Sequence, residues 1–190
     1  SGGAFSQTAL TDGLVAFYPF SGNANDAVDT NHGTVFGATL AMDRFGNADE
    51  AYYFNGSDSY IQIPASTSVF GSEDFTVSMW FKSLTLPNVS NPPDAARFLI
   101  SKGPNNYELH LGSLNSDTGV KFLPRFAGGN DWNTGASVYE TNVWEHIIAI
   151  YKPSAATVQL FINGVAQPLT GPASVPAIDD NSSDARIGMR

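Results

Sequence analysis

Phe75-Thr76-Val77-Ser78-Met79-Trp80-Phe81-Lys82 is the stretch of sequence that decides the fold. Successive side chains of an extended strand leave opposite faces, so this stretch separates into two sets. One face carries Phe75, Val77, Met79 and Phe81, and the other carries Thr76, Ser78, Trp80 and Lys82. The uniformly apolar first set predicts a core-facing surface, and the second set predicts that Trp80 points outward.

Runs of the same kind recur along the chain, each closed by Gly, Asn, Asp or Pro, while helical periodicity is nearly absent. Such runs without helical crossovers predict an all-β domain of two packed antiparallel sheets. The predicted strands are Leu14 to Phe20, Ala51 to Phe54, Tyr60 to Ile63, Phe75 to Ser83, Arg97 to Lys102, Tyr107 to Gly112, Val120 to Phe126, Trp144 to Tyr151, Thr157 to Ile162 and Ala185 to Met189.

The segments between these runs predict turns and long exposed loops. Asn163-Gly164 follows the strand in which Val158, Leu160 and Ile162 are expected to face the core, and this dipeptide favours a two-residue hairpin turn. Long loops are expected from Leu84 to Ala96, from Gly128 to Thr141 and over the tail from Pro168 to Ser183.

Composition and charge exclude several classes of function. The chain of 190 residues has a net charge of −9 at pH 7, which repels a nucleic acid backbone and an anionic membrane surface. It contains no cysteine, which rules out disulfides, zinc-thiolate sites and thiol nucleophiles. No apolar run approaches the roughly 20 residues that span a bilayer, so membrane insertion is not expected.

Several motifs together resemble a bacterial laminin G-like domain of the concanavalin A-like lectin/glucanase superfamily. They occur in the order of that family and cover nearly the whole chain: Leu14 to Phe20, Asn31-His32-Gly33-Thr34, Ala51 to Gly56, Phe75 to Lys82, Leu99 to Gly103, Trp144 to Ile147, Leu160 to Gly164 and Ala185 to Gly188. The resemblance implies a concanavalin A-like jelly roll. In that family a further strand usually follows the last motif, so the sequence, which stops at Arg190, is expected to lack its closing C-terminal strand.

Residue patterns for catalysis are missing from the sequence. A retaining glycosidase of this superfamily is expected to carry Glu-x-Asp-x-Glu or Glu-x-Asp-x-x-Glu on one strand, since the chemistry needs two carboxyl groups about 5 Å apart. Neither pattern occurs. We therefore expect no enzymatic activity.

A loop rich in oxygen donors follows the first predicted strand. Calcium prefers six to eight oxygen ligands, many of them from a tight loop, and similar domains often hold a structural calcium in this region. Asp26 is the first candidate ligand, with Asn23 and Asn31 as weaker ones. A solvated polar turn is the alternative interpretation.

For carbohydrate binding, the useful groups are exposed aromatic rings beside planar polar side chains. Trp132 lies in a loop without another apolar anchor, so we expect it to be exposed, with Asn130 and Asp131 beside it. Trp80 and Arg125 are the further candidates, and Lys121, Glu108 and His110 are candidates for lining the same face. The alternatives are a loop tryptophan folded back onto its own domain and a solvated sheet surface.

The sequence therefore predicts a carbohydrate-binding, lectin-like jelly roll over residues 11–190, preceded by a linker or tag remnant over residues 1–10. The expected partner is a polysaccharide or glycan, and the expected location is outside the cell or on its surface. The rival prediction is an adhesion or assembly domain that binds protein without a sugar site; a purely structural spacer is the third.

Overall fold

The computed structural model describes residues 12–65, 73–87, 97–103, 107–113, 116–124, 132–135, 138–175 and 183–188. Within these ranges the regular elements are strands, apart from one 3-10 turn at Pro153–Ala155. The strands are β1 (Thr34–Phe36), β2 (Thr39–Ala41), β3 (Ala51–Tyr53), β4 (Tyr60–Ile63), β5 (Phe75–Phe81), β6 (Arg97–Lys102), β7 (Tyr107–Ser113), β8 (Ser116–Pro124), β9 (Trp132–Asn133), β10 (Glu145–Lys152), β11 (Thr157–Ile162), β12 (Val165–Ala166) and β13 (Ala185–Ile187).

Two antiparallel sheets form the body of the domain. The larger has seven strands in the order β1-β4-β13-β6-β7-β8-β9, and the smaller has four in the order β12-β11-β10-β5. One buried apolar cluster draws side chains from both, including Ile100 and Leu109 from the larger sheet and Val77 and Ile147 from the smaller. The core therefore lies between the sheets, and the predicted two-sheet jelly-roll sandwich is confirmed.

Strand β5 has the two faces predicted from its sequence. Val77 and Phe81 are buried in the core, while Thr76, Ser78 and Trp80 are exposed. The alternation also holds in β10, where Ile147 and Tyr151 are buried in the core. Trp80 and its cross-strand neighbour His146 consequently share the outer face of the four-stranded sheet.

The predicted hairpin after β11 is also confirmed. Asn163 and Gly164 both have positive φ, 50° and 78°, and connect β11 to β12. Two consecutive residues with positive φ define the turn whose twist matches that of the flanking strands. The side-chain amide of Asn163 adds a second role, because its Oδ1 accepts the N–H of His146 at 2.9 Å.

The predicted first strand, Leu14 to Phe20, is wrong. These residues form no strand, because their main chain bonds to the following loop instead of to a sheet. The N–H of Phe17 donates to Oδ1 of Asp26 at 2.9 Å, and its carbonyl accepts the N–H of Ala27 at 2.8 Å.

The predicted loop from Gly128 to Thr141 is wrong at its centre, where Trp132 and Asn133 form β9 on the edge of the larger sheet. The short strands β1, β2 and β12 were not predicted. A strand of two or three residues is too short to show an alternating pattern in the sequence. Such a strand forms because a neighbouring strand is available to pair with it. Most of the predicted loop from Leu84 to Ala96 lies outside the described residues.

Candidate functional site

Trp132, the aromatic residue expected to be most exposed, is only 6% exposed, so the expected exposure is wrong. Its strand pairs with β8, and a second segment covers its indole. Asn133 and Thr170 exchange two backbone hydrogen bonds of 2.8 and 2.9 Å, which brings Gly171 against the ring. A Cβ atom at Gly171 would lie 2.5 Å from Cδ1 of Trp132. The cover comes from a distant part of the chain, which the local sequence around Trp132 does not reveal.

Some of the other candidate residues lie outside the described part of the chain, and the rest lie on two different sheets. Arg125, Asn130 and Asp131 lie outside the described residues. Trp80 belongs to the four-stranded sheet, whereas Glu108 and His110 belong to the seven-stranded one.

Because the core lies between the sheets, the outer face that carries Trp80 is on the opposite side of the sandwich from the face that carries His110. The interpretation that Glu108 and His110 line the same face as Trp80 is therefore wrong. Strand parity separates the core face from the outer face but does not assign a strand to a sheet.

Trp80 itself is exposed as predicted, with 43% of its surface accessible. The imidazole of His146 stacks on the indole, with ring centroids 4.9 Å apart and planes at 18°. Nε2 of His146 lies 2.8 Å from Oγ of Ser78, so a hydrogen bond between neighbouring strands holds the imidazole against the indole. Trp80 and His146 therefore form a fixed aromatic pair on the outside of the sheet.

Two further side chains reach this pair from the turn between β2 and β3. The guanidinium carbon of Arg44 lies 4.5 Å from the centroid of the Trp80 ring and 4.3 Å from that of Phe45. Phe45 is 72% exposed. We call the surface formed by Arg44, Phe45, Ser78, Trp80 and His146 the indole surface.

The turn that carries Arg44 and Phe45 is fixed by its own hydrogen bonds. Oδ1 of Asp43 accepts the N–H groups of Phe45 and Asn47 at 2.8 Å each, and Oδ2 accepts from Nδ2 of Asn47 at 3.1 Å. Although desolvation opposes the effect, these donors lower the pKa of the Asp43 carboxyl group. Aspartate followed two to four residues later by Gly and Asn is typical of such side-chain-closed turns, so the sequence held a signal for this loop that our prediction missed.

The electrostatics of the indole surface are locally positive. Burial and the nearby Arg44 charge both lower the pKa of His146, which favours the neutral imidazole at pH 7. Lys82, next in the chain after β5, places its ammonium 5.3 Å from the ring centroid of Trp144. This cationic character contrasts with the overall charge of −9.

The predicted calcium loop is organised around a buried carboxylate. Oδ1 of Asp26 accepts the N–H groups of Phe17 and Val28 at 2.9 Å each, and Oδ2 lies 3.5 Å from Nδ2 of Asn31. The backbone N–H of Asp29 also donates to this carboxylate. Burial acts to raise the pKa of Asp26, but these hydrogen bonds outweigh it and lower the pKa.

Oδ2 of Asp26 retains lone pairs that a calcium ion can use, so this carboxylate fits the predicted role. Asn31 lies beside it, whereas Asn23 bonds locally to Ser21 and Asn25. Among the residues that the structure describes, no three His, Asp or Glu side chains group as a metal site. Calcium would therefore need backbone carbonyl oxygens in addition to Asp26.

In the described part of the chain, no helix has the length and hydropathy needed to cross a membrane.

A family model matches residues 55–190, and its description is the concanavalin A-like lectin/glucanases superfamily. Among curated proteins, none matches the sequence.

Several solved structures have a similar fold. Domain 4 of AbnA, a GH43 extracellular arabinanase from Geobacillus stearothermophilus, solved in complex with arabinotriose, superposes with a TM-score of 0.61 at 20% identity, over 93% of this chain and 84% of that domain. The receptor binding domain of botulinum neurotoxin C/D mosaic serotype gives a TM-score of 0.66 at 12% identity, over 93% of this chain and 43% of the toxin domain.

The binding domain of botulinum neurotoxin DC, solved in complex with rat synaptotagmin II, gives a TM-score of 0.57 at 10% identity, over 86% of this chain and 41% of that domain. The chain thus spans less than half of these toxin domains but most of the arabinanase domain. At these identities the similarities show the fold.

Proposed function

Because this chain belongs to the concanavalin A-like lectin/glucanases superfamily, we propose that it is a non-catalytic carbohydrate-binding module of a secreted or cell-surface protein and that it binds glycan at the indole surface. The observation that supports this proposal most is the pair of exposed aromatic rings, Phe45 and Trp80, next to the guanidinium of Arg44.

The chemistry of the indole surface suits a sugar ring. The apolar face of a pyranose or furanose packs on an aromatic ring, and its hydroxyl groups need planar hydrogen-bonding partners at the ring edge. Phe45 supplies a largely exposed aromatic ring, and the guanidinium of Arg44, which lies over one face of that ring, supplies N–H donors. The Asp43 hydrogen bonds fix the backbone of the turn that carries both residues before binding, which reduces the entropy lost on association.

Arg44 also controls access to Trp80. Among the residues described, Arg44 contacts aromatic rings but forms no hydrogen bond or ion pair. Moving it from the indole therefore costs only its cation–π contact, about 0.5–1 kcal/mol at an exposed site. His146, in contrast, is held by Ser78 and by strand β10. A sugar can thus displace Arg44 from the ring without disturbing the sheet.

The structural comparisons are compatible with this proposal. The arabinanase domain was solved with arabinotriose, so a domain of this fold and of similar extent accommodates an oligosaccharide. No residue role is transferred from it, because 20% identity does not align side chains reliably enough.

The test is a binding screen against plant, algal and microbial polysaccharides, followed by substitutions in the indole surface. For any glycan that binds, we expect Trp80→Ala and Phe45→Ala each to weaken binding at least about tenfold, since a stacked aromatic residue at a binding hot spot contributes of the order of 2 kcal/mol.

The matched control is Phe36→Ala, which removes another partly exposed aromatic ring, on β1 of the seven-stranded sheet. It should leave affinity unchanged. If the Phe36 variant binds weakly and the Trp80 variant binds normally, the glycan site lies on the seven-stranded sheet and the proposed location is wrong.

A protein-binding surface is the second candidate, and one observation favours it. Met42 is 64% exposed and lies in the same turn as Phe45, which extends the apolar area beyond what a single sugar ring covers. Exposed Met and aromatic residues are typical of protein interfaces. A folded domain that binds no glycan but captures a protein through Met42 and Phe45 would support this alternative.

A further inference from the structure

The charge of the indole surface is the feature that the proposed function leaves unexplained. Neutral sugars need hydrogen bonds but no net charge, yet Arg44 and Lys82 both lie at or beside this surface in a protein with 18 acidic and 9 basic residues. Both cations contact aromatic rings, Arg44 on Trp80 and Lys82 on Trp144. A basic cluster in an acidic protein indicates a ligand of opposite charge.

The acidic residues directly adjacent in the chain to Arg44 and to His146 are already engaged. Asp43, adjacent to Arg44, uses both carboxylate oxygens to close its own turn. Glu145, adjacent to His146, is buried on the core side of β10, where it accepts the N–H of Glu140 at 3.1 Å and bonds to the side-chain amide of Asn163. Neither carboxylate neutralises Arg44.

The guanidinium of Arg44 therefore keeps its N–H donors for a ligand. Among the described residues it has no hydrogen-bond acceptor, while Phe45 and Trp80 hold it by ring contacts at 4.3 and 4.5 Å. A guanidinium offers paired N–H groups in one plane, which match the two oxygens of a carboxylate. A sugar that carries a carboxylate on its ring can stack on Phe45 and bind Arg44 at the same time.

Resting on the proposed carbohydrate-binding function, we infer that the indole surface selects glycans built from uronic acids over neutral glycans, with Arg44 as the residue that determines this specificity. The negative charge of the whole protein does not prevent this, because charges beyond about 8–10 Å are screened at physiological ionic strength. The local cations decide the sign of the field that a bound sugar experiences.

The test compares ligands that differ only in the carboxylate. Polygalacturonate, alginate and glucuronan are titrated against the intact domain by calorimetry, each beside its methyl-esterified form, with neutral arabinan and galactan as further ligands. We expect at least one uronate polymer to bind about tenfold more tightly than its ester.

Arg44→Gln should abolish the preference for the acid, and Arg44→Lys should retain only part of it, because lysine keeps the charge but loses the planar pair of donors. The matched control is Lys152→Gln, which removes an exposed cation at the opposite end of β10 from His146, about 20 Å along the strand. This control should bind like the unaltered protein.

The outcomes separate this inference from the function on which it rests. Equal binding of acid and ester, or a preference for the neutral glycans, overturns the uronate specificity while carbohydrate binding stands. An acid preference that survives in Arg44→Gln overturns the role of Arg44. If a folded domain binds none of these ligands or any other glycan, the proposed function itself fails.

Discussion

Trp132 and Gly171 show how a single glycine decides whether an aromatic residue is available. The chain that crosses the Trp132 indole at Gly171 has no room for a side chain, since Cδ1, Cγ and Nε1 of the ring all lie within 2.8 Å of a Cβ built there. The ring atoms cannot move aside, because the indole is buried against the sheet. The close approach of this glycine, more than any property of Trp132, removes the tryptophan from the surface.

We therefore expect Gly171→Ala to destabilise the domain by about 1–3 kcal/mol, the usual cost of overpacking a closed site. The measurement is thermal or denaturant unfolding. The matched control is Gly135→Ala, because no atom lies within 4 Å of a Cβ at Gly135. Equal melting temperatures for the two variants would contradict the packing of Gly171 on Trp132.

The turn between β2 and β3 shows how an element positions a functional residue. Asp43 does not belong to the indole surface but closes the turn that carries Arg44 and Phe45. We expect Asp43→Ala to weaken glycan binding roughly tenfold, because the free turn must then be ordered on binding. The melting temperature should change little, since the turn is exposed. Affinity and melting temperature, measured on the same variant, check both parts.

Asp58→Ala is the control for this prediction. Asp58 also accepts a side-chain hydrogen bond in an exposed turn, from Nδ2 of Asn55 at 2.7 Å, but that turn connects β3 to β4. The Asp58→Ala variant should therefore leave glycan affinity unchanged.

The lowered pKa of Asp43 adds a pH dependence to its effect on binding. The Asp43 carboxylate orders the turn fully above the unfolded pKa of about 3.9, and this ordering is lost only as the pH falls through the lower pKa of the folded state.

At the scale of elements, the sequence predicts long strands well and their partners poorly. The alternation in β5 correctly separated Val77 from Trp80, because strand parity is a local property. The failure at Leu14 to Phe20 came from Asp26, whose side chain captures the main chain of Phe17. The alternation of side chains within a predicted strand gives no sign that a residue outside it will accept hydrogen bonds from its main chain.

The candidate site was predictable only in part for the same reason. The exposure of Trp80 was predictable from strand parity. Arg44 and Phe45, however, reach Trp80 from the turn between β2 and β3, and strands β3 and β4 separate that turn from β5 in the sequence. Their meeting depends on where the β2–β3 hairpin lies relative to the four-stranded sheet. The distance in sequence hides this contact, even though the Asp-Arg-Phe-Gly-Asn turn itself was recognisable.

At the scale of the whole molecule, the stability of the fold near its beginning depends on the loop around Asp26. This loop holds the segment at Phe17 through the Asp26 carboxylate and through the N–H of Ala27, which donates to the Phe17 carbonyl. The hydroxyl of Tyr18 also donates to the carbonyl of Asn31 at 2.7 Å. Burial and the Asp26 charge both raise the pKa of Tyr18, so Tyr18 stays neutral, and among the described side chains no cation forms an ion pair with the Asp26 carboxylate. We propose that calcium supplies that cation through Oδ2 of Asp26.

If so, calcium stabilises the folded state alone, and removing it lowers the melting temperature. At a free calcium concentration of 100 times the dissociation constant, the stabilisation is about 2.7 kcal/mol, or roughly 5–10 °C for a domain of this size. Chelation should cause this decrease, added calcium should reverse it, and Asp26→Asn should remove the response. Asp29→Asn, which changes an exposed carboxylate in the same loop, should still respond. If Asp26→Asn destabilises the domain while chelation does nothing, the carboxylate acts through its hydrogen bonds to Phe17 and Val28 alone and the calcium proposal is wrong.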